Sequence, residues 1–370
     1  MTAKPASGIL RLLRPDILAM VGYEPIEPSD VLAERLGLSE DQVAKLDGNE
    51  NPYGPSPRVL EVLGSFDTYH RYPDPEQRQL RGALAGYVGV SPEHIVAGHG
   101  SDEIIDLLLR ALLAPGDAVI DCPPTFGMYG FSTRVAGGTV IEVPRKEDFS
   151  VDIEGVRESA PGAKAVLLAS PNNPTGNVLP RGELDALLAL ELLVIVDEAY
   201  VEFAGESYAT LVPQHENLVV LRTFSKWAGL AGLRAGFGIM PPAVARVLMH
   251  IKPPYTPNIA AEAAMLASLE ERTEQQRTIQ LLVEERDRLA NKLRQLEWVR
   301  VYPSEANFVL CRLDGHEGRD IRDRLAKRGL FVRYFDTPLL HDCIRISAGL
   351  PEHTDQLIDA LIEIGGSRAS

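Results

Sequence analysis

Along the middle of the chain, short uninterrupted apolar runs recur between stretches of helix-like spacing. The runs Ala118 to Asp121, Thr139 to Val143, Ala165 to Ala169, Leu192 to Val196 and Asn217 to Leu221 are four or five residues long. Runs of this kind, bounded by turn residues, predict strands buried on both faces. Because they alternate with helical segments between Asp47 and about Ile251, they predict a mostly parallel sheet covered by helices on both sides. The sequence Pro253-Pro254-Tyr255-Thr256-Pro257-Asn258 breaks the pattern, and a long helical stretch follows from Ile259 to about Leu296. Further strands are expected near Val299 to Tyr302, Asn307 to Arg312, Leu330 to Arg333 and Cys343 to Ser347. The fold class read from this pattern is α/β. Residues 47–256 form a large domain with its central sheet sandwiched by helices, and residues 257–370 a smaller α+β domain. Residues 1–46, broken by Pro15, Pro25 and Pro28, form an N-terminal arm and part of the small domain.

The ends of the predicted strands carry polar residues of a particular kind. The run ending at Ala169 breaks into Ser170-Pro171-Asn172-Asn173-Pro174-Thr175-Gly176 and presents Asn173, while the run ending at Val196 continues Asp197-Glu198-Ala199-Tyr200. Ligands of parallel α/β sheets sit at this carboxyl edge. Ala97-Gly98-His99-Gly100-Ser101-Asp102-Glu103 precedes the apolar run Ile104 to Leu113 and reads as a Gly-rich loop opening a helix, whose free amides suit a phosphate. Thr223-Phe224-Ser225-Lys226 then places a lysine eight positions before Arg234. An amine that condenses with an aldehyde must lose its proton near neutral pH, which desolvation or a neighbouring cation such as Arg234 brings about. Ser225 and Arg234 are also donors for a phosphate dianion.

Taken singly, these residues have plainer readings: a solvated lysine, a capping aspartate, a turn asparagine, a core phenylalanine. Their joint order makes the parts of a pyridoxal 5'-phosphate site. Lys226 holds the aldehyde carbon, and Asp197 keeps the pyridine nitrogen protonated. Asn173 and Tyr200 bond the phenolic oxygen, Gly100, Ser101, Asp102, Ser225 and Arg234 surround the phosphate, and Phe126 stacks on the ring.

From Tyr23 to Gly349 the chain resembles the fold-type I aminotransferases and, within them, the histidinol-phosphate aminotransferase family. The discriminating motifs are Asp47-Gly48-Asn49-Glu50-Asn51-Pro52-Tyr53-Gly54-Pro55-Ser56-Pro57, Tyr69-His70-Arg71-Tyr72-Pro73-Asp74 and Asp197-Glu198-Ala199-Tyr200-Val201-Glu202-Phe203. The Ser225-Lys226 region marks the broader group. Three positions depart from the family pattern: Phe126 stands for a tyrosine, His99 for an asparagine, and Tyr23-Glu24-Pro25-Ile26 for Tyr-x-Pro-Gly.

The resemblance implies a fold-type I pyridoxal phosphate transferase with Lys226, Asp197 and Tyr200 as its catalytic residues. It implies ping-pong transamination between L-histidinol phosphate and 2-oxoglutarate, giving imidazole acetol phosphate and L-glutamate, in histidine biosynthesis. The partners are thus a small-molecule amino donor and a 2-oxo acid. Arg345, a charge on a predicted strand, needs a buried partner such as a substrate carboxylate. By resemblance, Arg333 meets the substrate phosphate or the distal carboxylate of glutamate. Tyr23 is a second phosphate contact, and Asn173 also faces the substrate. Tyr53 is similar to a tyrosine that reaches the cofactor phosphate of the neighbouring subunit, which implies a homodimer with shared active sites.

Composition narrows the remaining classes. The chain has 370 residues, of which 45% are hydrophobic and 24% charged, ordinary values for a two-domain globular protein. A formal net charge of −15 argues against nucleic acid or an anionic membrane as partner. A phosphorylated substrate is then attracted by local arginines against the overall field. Cys122, Cys311 and Cys343 show no metal-ligand spacing and are too few for a disulfide framework, so no metal is expected and a reducing cytoplasm fits them. Arg11 and Arg14 interrupt the apolar residues of the N-terminus, which makes neither a signal segment nor a spanning helix.

Three other readings compete. A related pyridoxal phosphate enzyme acting on aromatic amino acids, or decarboxylating threonine phosphate, would use nearly the same ligands. An effector domain of a transcription regulator requires a fused basic helix-turn-helix, for which the 46 residues before Asp47 are too short. A nicotinamide dehydrogenase requires Gly-x-Gly-x-x-Gly after a first strand, and none is present.

Overall fold

The structure, a computed structural model, describes residues 8–366. The outermost parts of the expected arm and small domain, residues 1–7 and 367–370, lie outside the described residues. Among the described residues there are twelve strands: β1 (Ala44–Leu46), β2 (Ile95–His99), β3 (Ala118–Asp121), β4 (Thr139–Glu142), β5 (Ala165–Ala169), β6 (Leu193–Asp197), β7 (Leu218–Thr223), β8 (Ala235–Ile239), β9 (Val299–Val301), β10 (Phe308–Leu313), β11 (Leu330–Tyr334) and β12 (Cys343–Ser347).

Seven of them form one sheet in the order β2-β8-β7-β6-β5-β3-β4. β8 runs antiparallel to both of its neighbours, and the remaining strands pair in parallel. Every residue of β5 and β7 is buried, because one apolar cluster covers each face of the sheet. The apolar runs 165–169 of β5 and 218–221 of β7 are what two covered faces require. The register sets Ala169 beside Asp197 and Asp197 beside Leu221. The turns after β5, β6 and β7 therefore open side by side at one edge.

Two strands of this sheet escape the hydrophobic pattern. β2 occupies part of the segment expected to be a Gly-rich loop, and β8 is dilute in apolar side chains. The reason is close approach of backbone: a Cβ on Gly236 would lie 2.6 Å from the carbonyl carbon of Gly100 and the nitrogen of Ser101. Glycines that permit this contact erase the signal that would announce the strands.

The second sheet has the order β1-β11-β12-β10-β9, with β1 parallel to β11 and the other pairs antiparallel. The long helical stretch is two helices, Ile259–Glu270 and Arg272–Leu293, separated at Glu271. Ala261, Ala264 and Met265 of the first belong to the core of the seven-stranded sheet, as does Leu282 of the second. Leu289, Ala290 and Leu293 belong to the core of the smaller sheet. The packing thus passes between cores within the helix Arg272–Leu293 and not at the Pro257 break, because the helix after the break buries an Ala-rich face against the larger core. Among the described residues no helix is long and apolar enough to cross a membrane.

Candidate active site

Lys226 lies three residues beyond the end of β7. The Ser225 amide donates to Thr223 Oγ1 at 3.1 Å, and the Thr223 hydroxyl donates to Ser225 Oγ at 2.9 Å, which folds the chain into a tight turn. Phe224 and Trp227 are anchored in the core on either side. The Lys226 ammonium donates to the Gly48 carbonyl at 2.9 Å and lies 5.9 Å from the centre of the Tyr200 ring. Burial pushes the amine down to about 8, aided by Arg345 and Arg234 and opposed by Glu50 and Asp102.

Asp197 ends β6 and is 5% exposed. Its carboxylate accepts the Tyr129 hydroxyl at 2.9 Å and the Ala199 amide at 3.1 Å. Among the described residues it has no cation in ion-pair contact, and burial drives it up to about 7. A carboxylate buried without a cation is costly, and a positively charged ligand atom at this place relieves it.

Tyr200, three residues on, is buried edge-on against Phe308. Its hydroxyl oxygen accepts from Asn49 Nδ2 at 3.0 Å and from Asn173 Nδ2 at 3.5 Å. Asn173 in turn accepts Arg345 Nη1 at 2.6 Å. Arg345 is 6% exposed, with Nη2 donating to the Asp47 carbonyl and a buried Nε that has no partner. Arg333 stands directly opposite Arg345 in the β11–β12 ladder and donates to the Glu24 carbonyl of the arm at 3.2 Å. Both guanidinium groups lie over the Phe335 ring, at 5.9 Å for Arg333 and 5.7 Å for Arg345. Like charges facing across a ladder repel unless an anion joins them. The arm also brings Tyr23 edge-on to Phe126, with centroids 6.5 Å apart.

β8 begins at Ala235, opposite His99 of β2, and Gly236 lies opposite Thr223 of β7. Arg234 therefore sits between the turn carrying Ser225 and the start of the helix Gly100–Leu112. Its Nη2 donates to Asp102 Oδ2 at 2.7 Å. Gly100 has φ of +75°, and a Cβ there would lie 2.8 Å from Arg234 Nη2. The site thus combines a helix N-terminus, an arginine and a hydroxyl, a donor set that fits a phosphate. Asp102 was expected among the cofactor ligands. Its carboxylate is taken by Arg234, so what it can offer an anion is its backbone amide.

One expected residue stands apart. Tyr53 is 38% exposed and faces a groove lined by Glu274, Gln275, Thr278 and Leu281 of the helix Arg272–Leu293. Three residues that the sequence reading did not select touch the site directly: Tyr129 on Asp197, Asn49 on Tyr200, and Gly48 on Lys226. Tyr129 follows Phe126 by three positions near a helix start, spacing that sets both on one side. Asn49 has a left-handed backbone with φ of +53°, which asparagine adopts more readily than most residues, but nothing local names its partner.

The site's chemistry agrees with what the chain is similar to. The family model of class I and II aminotransferases matches residues 41–364. The histidinol-phosphate aminotransferase of Roseiflexus castenholzii is 53% identical over 370 residues, covering 97% of this chain and 100% of that one. The chloroplastic histidinol-phosphate aminotransferase of Nicotiana tabacum is 46% identical over 353 residues, covering 94% of this chain and 86% of that one. The solved histidinol-phosphate aminotransferase of Sinorhizobium meliloti, in complex with pyridoxal-5'-phosphate, matches with a TM-score of 0.87 at 28% identity, over 96% of this chain and 97% of that one. The L-threonine-O-3-phosphate decarboxylase of Porphyromonas gingivalis shares the fold at a TM-score of 0.78 and 22% identity, covering 88% of this chain and 100% of that one. The chain belongs to the class I and II aminotransferases and, within them, to the histidinol-phosphate aminotransferase family.

Proposed function

We propose that this protein holds pyridoxal 5'-phosphate on Lys226 and transfers an amino group reversibly between L-histidinol phosphate and 2-oxoglutarate. The products are imidazole acetol phosphate and L-glutamate, and the reaction serves histidine biosynthesis. The observation that carries this reading is Asp197, a buried carboxylate without a cation among the described residues, in the same site as a desolvated lysine. A pyridinium nitrogen is the partner that such a carboxylate lacks.

When bound, the cofactor supplies an aldehyde carbon and a cationic ring that withdraws electrons from the amine-bearing carbon of the substrate. Asp197 holds the proton on the ring nitrogen, and Tyr129 fixes the orientation of that carboxylate. Asn173 and Tyr200 would hold the phenolic oxygen, and Phe126 would pack against the ring. The amides of Gly100, Ser101 and Asp102, with Ser225 and Arg234, bind the phosphate. Lys226 Nζ, at about 8, is basic enough to take a proton from the amine-bearing carbon and weak enough to return it. Arg333, with Tyr23 beside Phe126, binds the substrate phosphate or the distal carboxylate of glutamate. Arg345 meets the carboxylate of the amino-acid partner. Tyr53 serves the cofactor phosphate of a second copy, so the working form is a homodimer, and the setting is the cytoplasm.

Visible absorbance of the cofactor-saturated protein tests the whole reading. Addition of L-histidinol phosphate should bleach the lysine-bound cofactor band, and 2-oxoglutarate should restore it. A band that responds instead to phenylalanine or threonine phosphate would keep the chemistry and change the substrate. Absence of any such band would overturn the cofactor assignment.

A further inference from the structure

Tyr200 sits in the middle of a chain of hydrogen bonds that runs from Arg345 through Asn173 to Asn49 and Ser347, and each donor is fixed by its neighbour. A guanidinium has only donors, so the Asn173 oxygen must face Arg345 and its amide nitrogen must face Tyr200. On the other side, Ser347 Oγ accepts the backbone amide of Asn49 at 2.9 Å. Its own hydrogen goes to Asn49 Oδ1 at 2.8 Å, which leaves Asn49 Nδ2 for the Tyr200 hydroxyl. Asn307 Nδ2 donates to the Asn49 carbonyl at 3.1 Å and completes the hold on this residue. Two amide donors thus fill the acceptor positions of the Tyr200 oxygen. Among the described residues the hydroxyl's own hydrogen has no acceptor.

We infer that Asn49 is a positioning residue for the transamination site: with Asn173, it compels the Tyr200 hydroxyl to act only as a donor into the pocket. The inference rests on the proposed cofactor reading, in which the phenolic oxygen is the acceptor. It adds a residue, Asn49, that touches neither Lys226 nor Asp197 and acts through Tyr200. The same chain of bonds ties the smaller sheet to this hydroxyl at both of its ends. Ser347 lies two residues after Arg345 on β12, so both side chains project from one face of that strand. The substrate-side arginine and the serine that orients Asn49 therefore move together.

Asn49→Asp is the directed test. An aspartate tolerates the left-handed backbone, keeps an acceptor beside Ser347 and replaces the donor to Tyr200 by a second acceptor. The hydroxyl would then turn its hydrogen onto residue 49 and away from the pocket. The charged groups near Tyr200 are Lys226 over its ring, Arg345 across Asn173 and Asp197 on its own turn, with the Tyr23 phenol also facing it. None of these is altered.

The readout is the pH midpoint of the visible absorbance change of the holoenzyme without substrate. It is recorded for the wild type, Asn49→Asp, Tyr200→Phe and the double variant. Loss of a donor to the phenolic oxygen favours the proton-bound chromophore, so each single variant should raise the midpoint by about one pH unit, a tenfold change in proton affinity. The double variant should match Tyr200→Phe. A midpoint unchanged in Asn49→Asp overturns the inference. So does a shift that persists in full in the Tyr200→Phe background, since residue 49 would then act by charge and not through the hydroxyl. If Asn49→Asp fails to fold, Asn49→Gly, which accepts φ of +53° without strain, takes its place with the same expectation of a smaller upward shift that vanishes in the Tyr200→Phe background. A wild type with no visible band would refute the cofactor reading itself and is distinguishable from all these outcomes.

Discussion

Burial drives Lys226 and Asp197 toward their neutral forms, the lysine down to about 8 and the aspartate up to about 7. At the scale of single residues, the lysine's displacement is what base chemistry requires, while the aspartate's marks a carboxylate that a cationic ring nitrogen would return to its charged form. Under the proposed reading Lys226→Ala removes the group that moves the proton, and general acid–base catalysis alone contributes about 10²–10⁴-fold. Single-turnover kinetics should show at least that loss, while phosphate contacts retain some cofactor; normal turnover by the variant would end the assignment. Asp197 yields a stability prediction with a definite sign. Its folded value lies above its unfolded one, so between about pH 4 and 7 the cofactor-free folded protein holds more protons than the unfolded chain. The stability of the cofactor-free protein therefore falls as pH rises through that window. Urea midpoints at pH 5 and pH 8 should show the wild type losing ground to Asp197→Asn, and added cofactor should restore the wild type alone. Parallel pH profiles for the two proteins would contradict the account.

At the scale of elements, parallel strands deliver these residues and one antiparallel strand locates the proposed phosphate end. β8 separates β7 from β2 and begins just after Arg234, which brings that arginine to the start of the helix Gly100–Leu112. Contact between β8 and that helix start is so close that Gly236→Ala would place a Cβ 2.6 Å from backbone atoms of Gly100 and Ser101. Backbone cannot swing aside as a side chain can, so the helix N-terminus has to shift. Displacement by about 1 Å in a binding constellation costs on the order of 10²-fold. Equilibrium dialysis should find cofactor affinity lowered by roughly that factor in Gly236→Ala, with far-ultraviolet circular dichroism unchanged. Wild-type affinity in this variant would show that the glycine is not what places the amides.

At the scale of the whole molecule, Tyr53 is the residue that the single chain does not bring to the site. Under the proposed dimer it completes the site of the other copy. Light scattering should give twice the chain mass. Mixed dimers formed by co-refolding Lys226→Ala with Tyr53→Ala supply a sharper check, because one of their two sites joins a wild-type lysine to a wild-type tyrosine. Activity of the mixture should exceed the sum of its components, and simple additivity would place Tyr53 in its own subunit's site or in none. The net charge of −15 belongs to this scale too. Under the proposed reading it leaves Arg333 and Arg345, adjacent across one ladder, to attract an anionic substrate locally.

Local sequence was enough to determine the buried strands β5, β6 and β7 and the polar residues at their ends. A strand covered on both faces has to be continuously apolar, and its carboxyl end is where that constraint stops. Asn173, Asp197, Tyr200 and Lys226 stand at or just past such ends, Arg234 was read from its spacing to Lys226, and the motifs around them carried the family. Tertiary structure alone decided the rest. β2 and β8 are drawn together by glycines that carry no hydrophobic signal, and the helix after Pro257 joins the larger core through small side chains. Asn49 and Tyr129 acquire their partners only when segments 151 and 68 residues away in the chain close around them. Periodicity reports which face of an element is buried, whereas the direction of a hydrogen bond depends on what every other neighbour of the two groups has already taken.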